Sequence, residues 1–88
     1  MPKYKLKPTS KFKRLLKKLP PELKQPVRKA LELLQENPSH PSLRTKKYKS
    51  IVGVWESSID MNNRLLWEYD ESEKTIIILL AVGGHDIL

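Results

Sequence analysis

The chain has no cysteine and only three glycines among its 88 residues. Without cysteine, neither disulfide bonds nor thiolate metal sites can form, and a reducing cytoplasm is the simplest expected location. No apolar segment approaches the roughly 20 residues that a membrane helix needs. The first residues contain no apolar h-region, so we expect no secretory signal. These features predict a single domain over residues 1–88 that does not interact with membranes.

Motifs for metal binding and for activated nucleophiles are also missing. His40 and His85 are the only imidazoles, and neither belongs to an H-x-x-x-H or clustered carboxylate pattern. The sequence has no glycine-rich phosphate loop and no G-x-S-x-G turn. We therefore expect no metal and no cofactor, and nucleotide hydrolysis is disfavoured.

Positive charge is concentrated in the first half of the chain. Residues 1–49 contain fifteen Lys or Arg and three Asp or Glu, whereas residues 50–88 contain two and seven. The formal net charge of +7 therefore combines a strongly cationic half with a weakly acidic one. Such asymmetry indicates a polyanionic partner, either nucleic acid or an acidic protein.

The first half predicts a strand and two helices. Tyr4 to Lys7 alternates apolar and basic residues, which favours a short strand that ends at Pro8. Thr9 or Ser10 can cap a helix with a basic outer face, and Pro20-Pro21 ends that helix. A second apolar stripe runs to Asn37. Pro26 lies inside this stripe, which predicts either a kink or a helix that begins nearer Gln25.

The second half predicts a three-stranded antiparallel meander. Strand residues begin at Ile51, and the turns fall at residues 60–63 and 70–74. The run Ile76 to Val82 is continuously apolar, which predicts a strand buried on both faces. The first strand can pair along the free edge of this last strand. We therefore predict a two-layer α+β fold, with an antiparallel helix hairpin on a four-stranded sheet.

Several residues suit phosphodiester chemistry without a metal. Arg64 lies within a strand and can neutralise a phosphate through bidentate hydrogen bonds. His85 follows the glycine pair at the end of the last strand and can transfer a proton. The basic segment between the loop and the meander can hold a nucleic-acid backbone and stack a base, through Arg44, Lys46, Lys47, Tyr48 and Lys49.

Each of these residues also has a purely structural interpretation. Arg64 can pair with Glu56 or Glu68 across the sheet, and His85 can hydrogen-bond a carbonyl group at the strand end. His40 lies between Ser39 and Pro41, where a structural role is the simpler hypothesis. The sequence leaves these alternatives open.

The chain resembles the RelE/ParE superfamily of toxin–antitoxin toxins, and within it the RelE- and YafQ-like mRNA interferases. The resemblance covers nearly the whole length. Beyond the order of elements, it rests on three segments: N-P-S-H-P-S-L, V-W-E-S-S-I-D-M-N-N-R-L-L-W-E-Y and I-I-I-L-L-A-V-G-G-H-D-I-L. It implies a RelE-like toxin domain that cleaves mRNA in the ribosomal A site, where the ribose 2′-hydroxyl attacks the adjacent phosphate.

The same resemblance assigns roles to individual residues. Arg64 and His85 stand where relatives carry catalytic residues, and Lys46, Lys47 and Lys49 stand where RelE carries RNA-contacting lysines. His40 and Asp86 are further candidates for acid–base work. The implied partners are a cognate antitoxin and mRNA on the ribosome, with DNA contacted only through the antitoxin complex.

Two alternatives come from other branches of the superfamily. A ParE-like toxin would inhibit DNA gyrase and would need no catalytic histidine. A catalytically weakened toxin would act mainly as a binding module in a DNA-binding antitoxin complex. The second alternative rests on Ala81–Gly83, where many active relatives carry an arginine, and on Leu88, where many carry an aromatic residue.

Overall fold

A computed structural model describes residues 3–84 of the chain. Within this range, the helices are α1 (Ser10–Lys18) and α2 (Lys24–Glu36). The strands are β1 (Lys5–Pro8), β2 (Lys46–Lys47), β3 (Trp55–Ser58), β4 (Arg64–Tyr69) and β5 (Ile76–Gly83). Two short 3₁₀ turns, Pro21–Leu23 and Pro41–Leu43, precede α2 and β2 respectively.

The strands form one mixed sheet in the order β1-β5-β4-β3-β2. As predicted, β1 pairs with the free edge of β5, and β3, β4 and β5 form an antiparallel meander. The structure adds that β1 is parallel to β5. The predicted α+β class is confirmed. The predicted strand count was wrong, because the basic segment contributes a fifth strand, β2, of two residues.

Proline and threonine residues determine where the helices begin. The Thr9 side chain accepts a hydrogen bond from the backbone N–H of Phe12 and so caps α1. The same hydroxyl donates to the carbonyl of Leu79, which joins the start of α1 to β5. Pro26 lies in the first turn of α2, where a missing N–H removes no helical hydrogen bond. The helix therefore begins close to Gln25, as one of the two alternatives predicted.

The main core lies between the helices and one face of the sheet. It joins residues from both helices, from β4 and β5 and from the loop before β2: Phe12, Val27, Ala30, Leu34, Leu43, Leu65, Trp67, Ile77, Leu79 and Val82. Burying a side chain such as Phe12 stabilises the fold by about 1.5–3 kcal/mol. Leu65 and Trp67 share this face, as the strand alternation predicted.

The opposite face of the sheet has a smaller apolar cluster and the polar residues discussed below. Its buried members are Val54, Leu66 and Ala81. A bulge in the pairing of β4 with β5 follows Leu66, because Leu66 pairs with Ala81 and Trp67 pairs with Leu79. The strand β5 is fully buried only towards its end, since Ile76, Ile78 and Leu80 remain partly exposed. The prediction of burial along both faces holds for Ala81–Gly83.

Strand structure begins later than the sequence indicated. Ile51 and Val52 belong to the turn between β2 and β3, and Val52 is fully exposed. Gly53 in this turn has φ 86°, a backbone conformation that favours glycine. The backbone N–H of Tyr48 donates to the carbonyl of Val54 and closes the turn. Neither described helix has the length and apolar character needed to cross a membrane.

Candidate RNA-binding and catalytic site

Arg64 begins β4 at the end of the sheet where the β3–β4 hairpin turns. It pairs with Ser58 on one side and with Gly83 on the other. The turn is built on Asp60, whose Oδ1 atom accepts hydrogen bonds from the backbone N–H groups of Asn62 and Asn63. These hydrogen bonds, first that from Asn62 and then that from the Asn63 side chain, lower the pKa of Asp60 below its usual value. The turn thereby fixes where Arg64 enters the sheet.

Arg64 belongs to an ion cluster with Glu56 and Lys46 on the face of the sheet opposite the helices. Its Nη1 atom lies 2.6 Å from Oε2 of Glu56, and Nζ of Lys46 lies 3.4 Å from Oε1 of the same carboxylate. The structural alternative in which Arg64 pairs with Glu56 rather than with Glu68 is therefore the observed one. The Glu56 side chain is 10% exposed, compared with 30% for Arg64 and 70% for Lys46. The carboxylate thus lies beneath two cations that reach solvent.

A cavity of about 200 Å³ opens beside this cluster. Its lining combines cations with polar groups from β3 and the hairpin turn: Arg44, Lys46, Glu56, Ser57, Ser58, Asp60, Met61, Asn63 and Arg64. A larger cavity of about 760 Å³ lies between α2 and the second 3₁₀ turn, but no predicted site residue within 3–84 lines it. The predicted cationic site residues Arg44, Lys46 and Arg64 therefore meet at the smaller cavity.

The basic segment is held over the sheet by a chain of hydroxyl hydrogen bonds. The Trp67 indole N–H donates to Oγ of Ser57, which lies 2.8 Å from Oγ1 of Thr45. Thr45 donates its own proton to the carbonyl of Pro38, so Ser57 is the donor in its bond with Thr45. Arg44, next to Thr45, has φ 48° and ψ 43°, in the left-handed region. This anchor places Arg44 and Lys46 at the cavity.

The other predicted RNA-binding residues lie elsewhere. Lys47 pairs with Trp55 and does not line the cavity, and Lys49 is exposed in the β2–β3 turn. Tyr48 is partly buried against the small apolar cluster on the face opposite the helices. The structure therefore divides the basic segment into residues at the cavity and residues beside it.

His40 has a structural role that the sequence alone left open. Its Nδ1 atom accepts a hydrogen bond from the backbone N–H of Ser42, 3.1 Å away, and caps the second 3₁₀ turn. It does not line the cavity that contains Arg64. His85 and Asp86, the other candidates for acid–base work, lie outside the described residues.

The positions at which the resemblance implies an arginine in active relatives lie on β5. Ala81, Val82 and Gly83 are all buried, and Gly83 has φ 145°, which favours glycine over a residue with a side chain. The described residues of β5 therefore bring no charge to the cavity. No group of three or more His, Asp and Glu within residues 3–84 could hold a metal ion.

Sequence reasoning did not identify Glu56 and Asp60 as parts of the site. Glu56 was considered only as a structural partner of Arg64, and Asp60 only as a turn residue. The structure pairs Ser58 with Arg64 and so places Glu56 diagonally across from Arg64, a register that the local sequence pattern does not specify.

Comparison with solved structures identifies the fold. The RelE–RelB complex of Pyrococcus horikoshii OT3 matches with a TM-score of 0.74 and 13% identity, over 96% of this chain and 97% of that one. The RelBE2 toxin–antitoxin complex of Mycobacterium tuberculosis matches with a TM-score of 0.69 and 23% identity, over 97% of this chain and 100% of that one. The DinJ–YafQ complex of E. coli matches with a TM-score of 0.75 and 11% identity, over 94% of this chain and 93% of that one. The chain therefore has a RelE-like fold, as the resemblance predicted.

Sequence comparisons add nothing to this result. No family model matches the chain, and neither does any curated protein.

Proposed function

We propose that this chain is the toxin of a type II toxin–antitoxin pair and a metal-independent endoribonuclease that cleaves mRNA on the ribosome. The supporting observation is the convergence of Arg44, Lys46 and Arg64 at one cavity of a RelE-like fold. Three cations and two carboxylates, those of Glu56 and Asp60, leave the lining with a net positive charge, which suits a phosphodiester better than an uncharged substrate. The sheet supplies a rigid base for them, since β3 and β4 carry Glu56 and Arg64.

In the proposed reaction, the ribose 2′-hydroxyl attacks the adjacent phosphorus. A bond forms from the 2′-oxygen to phosphorus, and the bond from phosphorus to the 5′-oxygen of the next nucleotide breaks. The 2′-hydroxyl loses a proton, and the leaving 5′-oxygen gains one. Negative charge builds up on the non-bridging oxygens in between. Arg64 stabilises that charge, because guanidinium N–H groups match the geometry of phosphate oxygens.

The proton transfers are assigned to His85, with His40 and Asp86 as further candidates. His85 follows the β5 strand, whose residue Gly83 pairs with Arg64. An imidazole suits the work because its ordinary pKa lies near neutral pH. His40 is the weaker candidate, since its Nδ1 atom already accepts the hydrogen bond from Ser42.

The basic segment is proposed to hold the RNA strand by its phosphates. Arg44 and Lys46 contact the nucleotides at the cavity, and the exposed Lys47 and Lys49 contact the flanking backbone. Tyr48 is partly buried, and the exposed part of its ring is the surface proposed to stack on a base.

A cognate antitoxin is the proposed protein partner in the cytoplasm. The P. horikoshii, M. tuberculosis and E. coli structures are all toxin–antitoxin complexes. An antitoxin with acidic and amphipathic segments would complement the cationic first half of this chain. Contact with DNA would then occur through the antitoxin.

Expression of the chain without an antitoxin tests this function. Wild-type protein is expected to arrest translation, and primer extension is expected to map new 5′ ends within translated codons. The R64A variant should cleave about 10²- to 10³-fold more slowly, because a charged transition-state contact is lost. The H85A variant should be slower by about 10²- to 10⁴-fold, because proton transfer is lost.

The same experiment separates the alternatives. Toxicity with intact transcripts that H85A leaves unchanged would indicate a ParE-like gyrase inhibitor. Normal growth with verified expression and intact transcripts would indicate the weakened toxin, which the uncharged Ala81–Gly83 segment favours. Either outcome would overturn the nuclease.

A further inference from the structure

Glu56 is a buried carboxylate to which the proposed reaction gives no role. Among residues 3–84, it is the one charged residue that is buried, with 8% of its surface exposed. Burying a carboxylate is costly unless cations and hydrogen bonds compensate for the lost water. Two cations compensate here, because Nη1 of Arg64 and Nζ of Lys46 lie 2.6 and 3.4 Å from the carboxylate oxygens of Glu56.

Sheet register places this carboxylate between two cations from different strands. Lys46 on β2 lies directly opposite Glu56, so both side chains project from the same face. Arg64 on β4 lies opposite Ser58 and is therefore the diagonal neighbour of Glu56. Each oxygen of the carboxylate contacts one of the two, because Oε1 lies near Lys46 and Oε2 near Arg64. A single anion thus links the two strands that flank β3.

The three side chains of this cluster differ in solvent exposure, and the difference decides which of them a substrate phosphate would meet first. Lys46 and Arg64 are both more exposed than the carboxylate that they contact. A phosphate arriving from the cavity would therefore meet the cations, with the carboxylate behind them. The three side chains together carry a charge of +1, whereas the two cations alone would carry +2.

We propose that Glu56 is a positioning residue of the phosphate site, and this proposal rests on the function proposed above. It holds the Arg64 guanidinium and the Lys46 ammonium in fixed places and lowers the charge that the RNA meets before reaction. The site therefore binds ground-state RNA less tightly than two unrestrained cations would. Arg64 is already in place when charge builds up on the phosphate.

The E56Q variant separates these two effects, because the amide keeps the shape of the side chain and loses its charge. Binding is measured with a short single-stranded RNA whose riboses are 2′-O-methylated, so that the nucleophile is blocked. E56Q is expected to bind this probe about fivefold more tightly, as one repulsive charge near the phosphate is removed. Its log–log salt dependence should steepen by about 0.7.

Cleavage is measured as the single-turnover rate on programmed ribosomes at saturating protein. E56Q is expected to cleave about tenfold more slowly, because Arg64 loses its ion pair with Glu56. Tighter binding combined with slower cleavage distinguishes positioning from a structural role. A change that only damaged the fold would weaken binding and slow cleavage together.

Two further variants serve as controls. E68Q removes the same charge from β4, at a residue outside the cavity, and should leave both measurements unchanged. E56D retains the charge but shortens the side chain, so it should bind the probe as wild type does and cleave more slowly. Thermal unfolding is recorded for every variant. If E56Q does not fold, the cleavage rate of E56D tests the positioning role.

The outcomes of the two proposals can be told apart. Wild-type protein that cleaves no mRNA would overturn the nuclease, while the binding measurements would still test the effect of Glu56 on the phosphate site. If E56Q binds the probe no more tightly than wild type, or cleaves at the wild-type rate, the positioning role is wrong.

Discussion

Asp60 and Glu56 show how two acidic side chains on one hairpin act differently. Asp60 is exposed and organises the turn, because its Oδ1 atom accepts from two backbone N–H groups and from the Asn63 side chain. Glu56 is buried and contacts cations rather than backbone. The turn therefore helps to position the backbone of Arg64, and Glu56 helps to position its side chain.

Replacing Asp60 with alanine tests the contribution of the turn. D60A should lower the free energy of unfolding at neutral pH by about 1 kcal/mol, because the hydrogen bonds to the carboxylate are lost. Since the folded pKa of Asp60 is lowered from 3.8, its contribution is complete above that value and is lost as the pH falls through the lower folded pKa. Urea unfolding at neutral pH and below pH 3 measures the difference between wild type and variant.

The matched control is M61A, in the same turn. Met61 is 97% exposed, so its removal should leave the unfolding free energy nearly unchanged. A difference between D60A and wild type that stayed constant down to low pH would contradict the role given to the ionised carboxylate.

At this residue scale, sequence reasoning selected Arg64 for its chemistry but could not choose between phosphate binding and an ion pair. The alternation along β4 placed Arg64 on the face away from Leu65 and Trp67, and the structure agrees. Whether Glu56 or Glu68 would be its partner depended on register, which no local pattern specifies.

At the scale of elements, the helices were the most predictable part. Thr9 and the Pro20-Pro21 pair act locally, through a cap hydrogen bond and a missing N–H, so their effects can be predicted from neighbouring residues. The strand β2 could not be predicted in this way. Its two lysines have no apolar alternation, and they pair with β3 because Thr45 is tied to Ser57.

The predicted start of β3 was wrong for a related reason. Ile51 and Val52 are β-branched and favour a strand locally. They form a turn instead, because the pairing of Lys47 with Trp55 and of Tyr48 with Val54 requires the chain to reverse between them. Tertiary pairing thus overrode local propensity.

The T45V variant tests whether the hydroxyl chain holds the basic segment. Valine has nearly the same shape but leaves the Ser57 hydroxyl without its acceptor and the Pro38 carbonyl without its donor. Such losses cost about 1–3 kcal/mol when the groups are buried. We expect faster amide hydrogen exchange at Tyr48, whose N–H bonds to Val54, and little change in β4 and β5.

The control for this prediction is T75V, because Thr75 is exposed and undergoes the same chemical change. Its exchange pattern should match that of wild type at Tyr48. Equal exchange at Tyr48 in T45V and wild type would show that pairing with β3 holds the segment without the hydroxyl chain.

For the molecule as a whole, the fold separates two cationic surfaces that composition alone combines. The apolar side of α1 packs on one face of the sheet, which leaves its lysines on the outside of the helical layer: Lys11, Lys13, Lys17 and Lys18. Arg44, Lys46 and Arg64 belong to the cavity on the other side. The charge asymmetry predicted a polyanionic partner, and the fold would offer such a partner two separate cationic surfaces.

Charge-removing variants on each surface decide which one binds RNA. The double variant R44Q/K46Q removes two cations at the cavity, and K13Q/K17Q removes two from α1, so the net charge changes equally. Because each phosphate contact contributes about 0.7 to the log–log salt slope for single strands, the cavity variant should bind the 2′-O-methylated RNA with a slope shallower by about 1.4. The helix variant should retain the wild-type slope, because its cations are exposed on α1 and do not line the cavity. An equal decrease of the salt slope in both variants would mean that net charge alone governs binding. A decrease confined to the helix variant would mean that RNA binds at the α1 surface instead of the cavity.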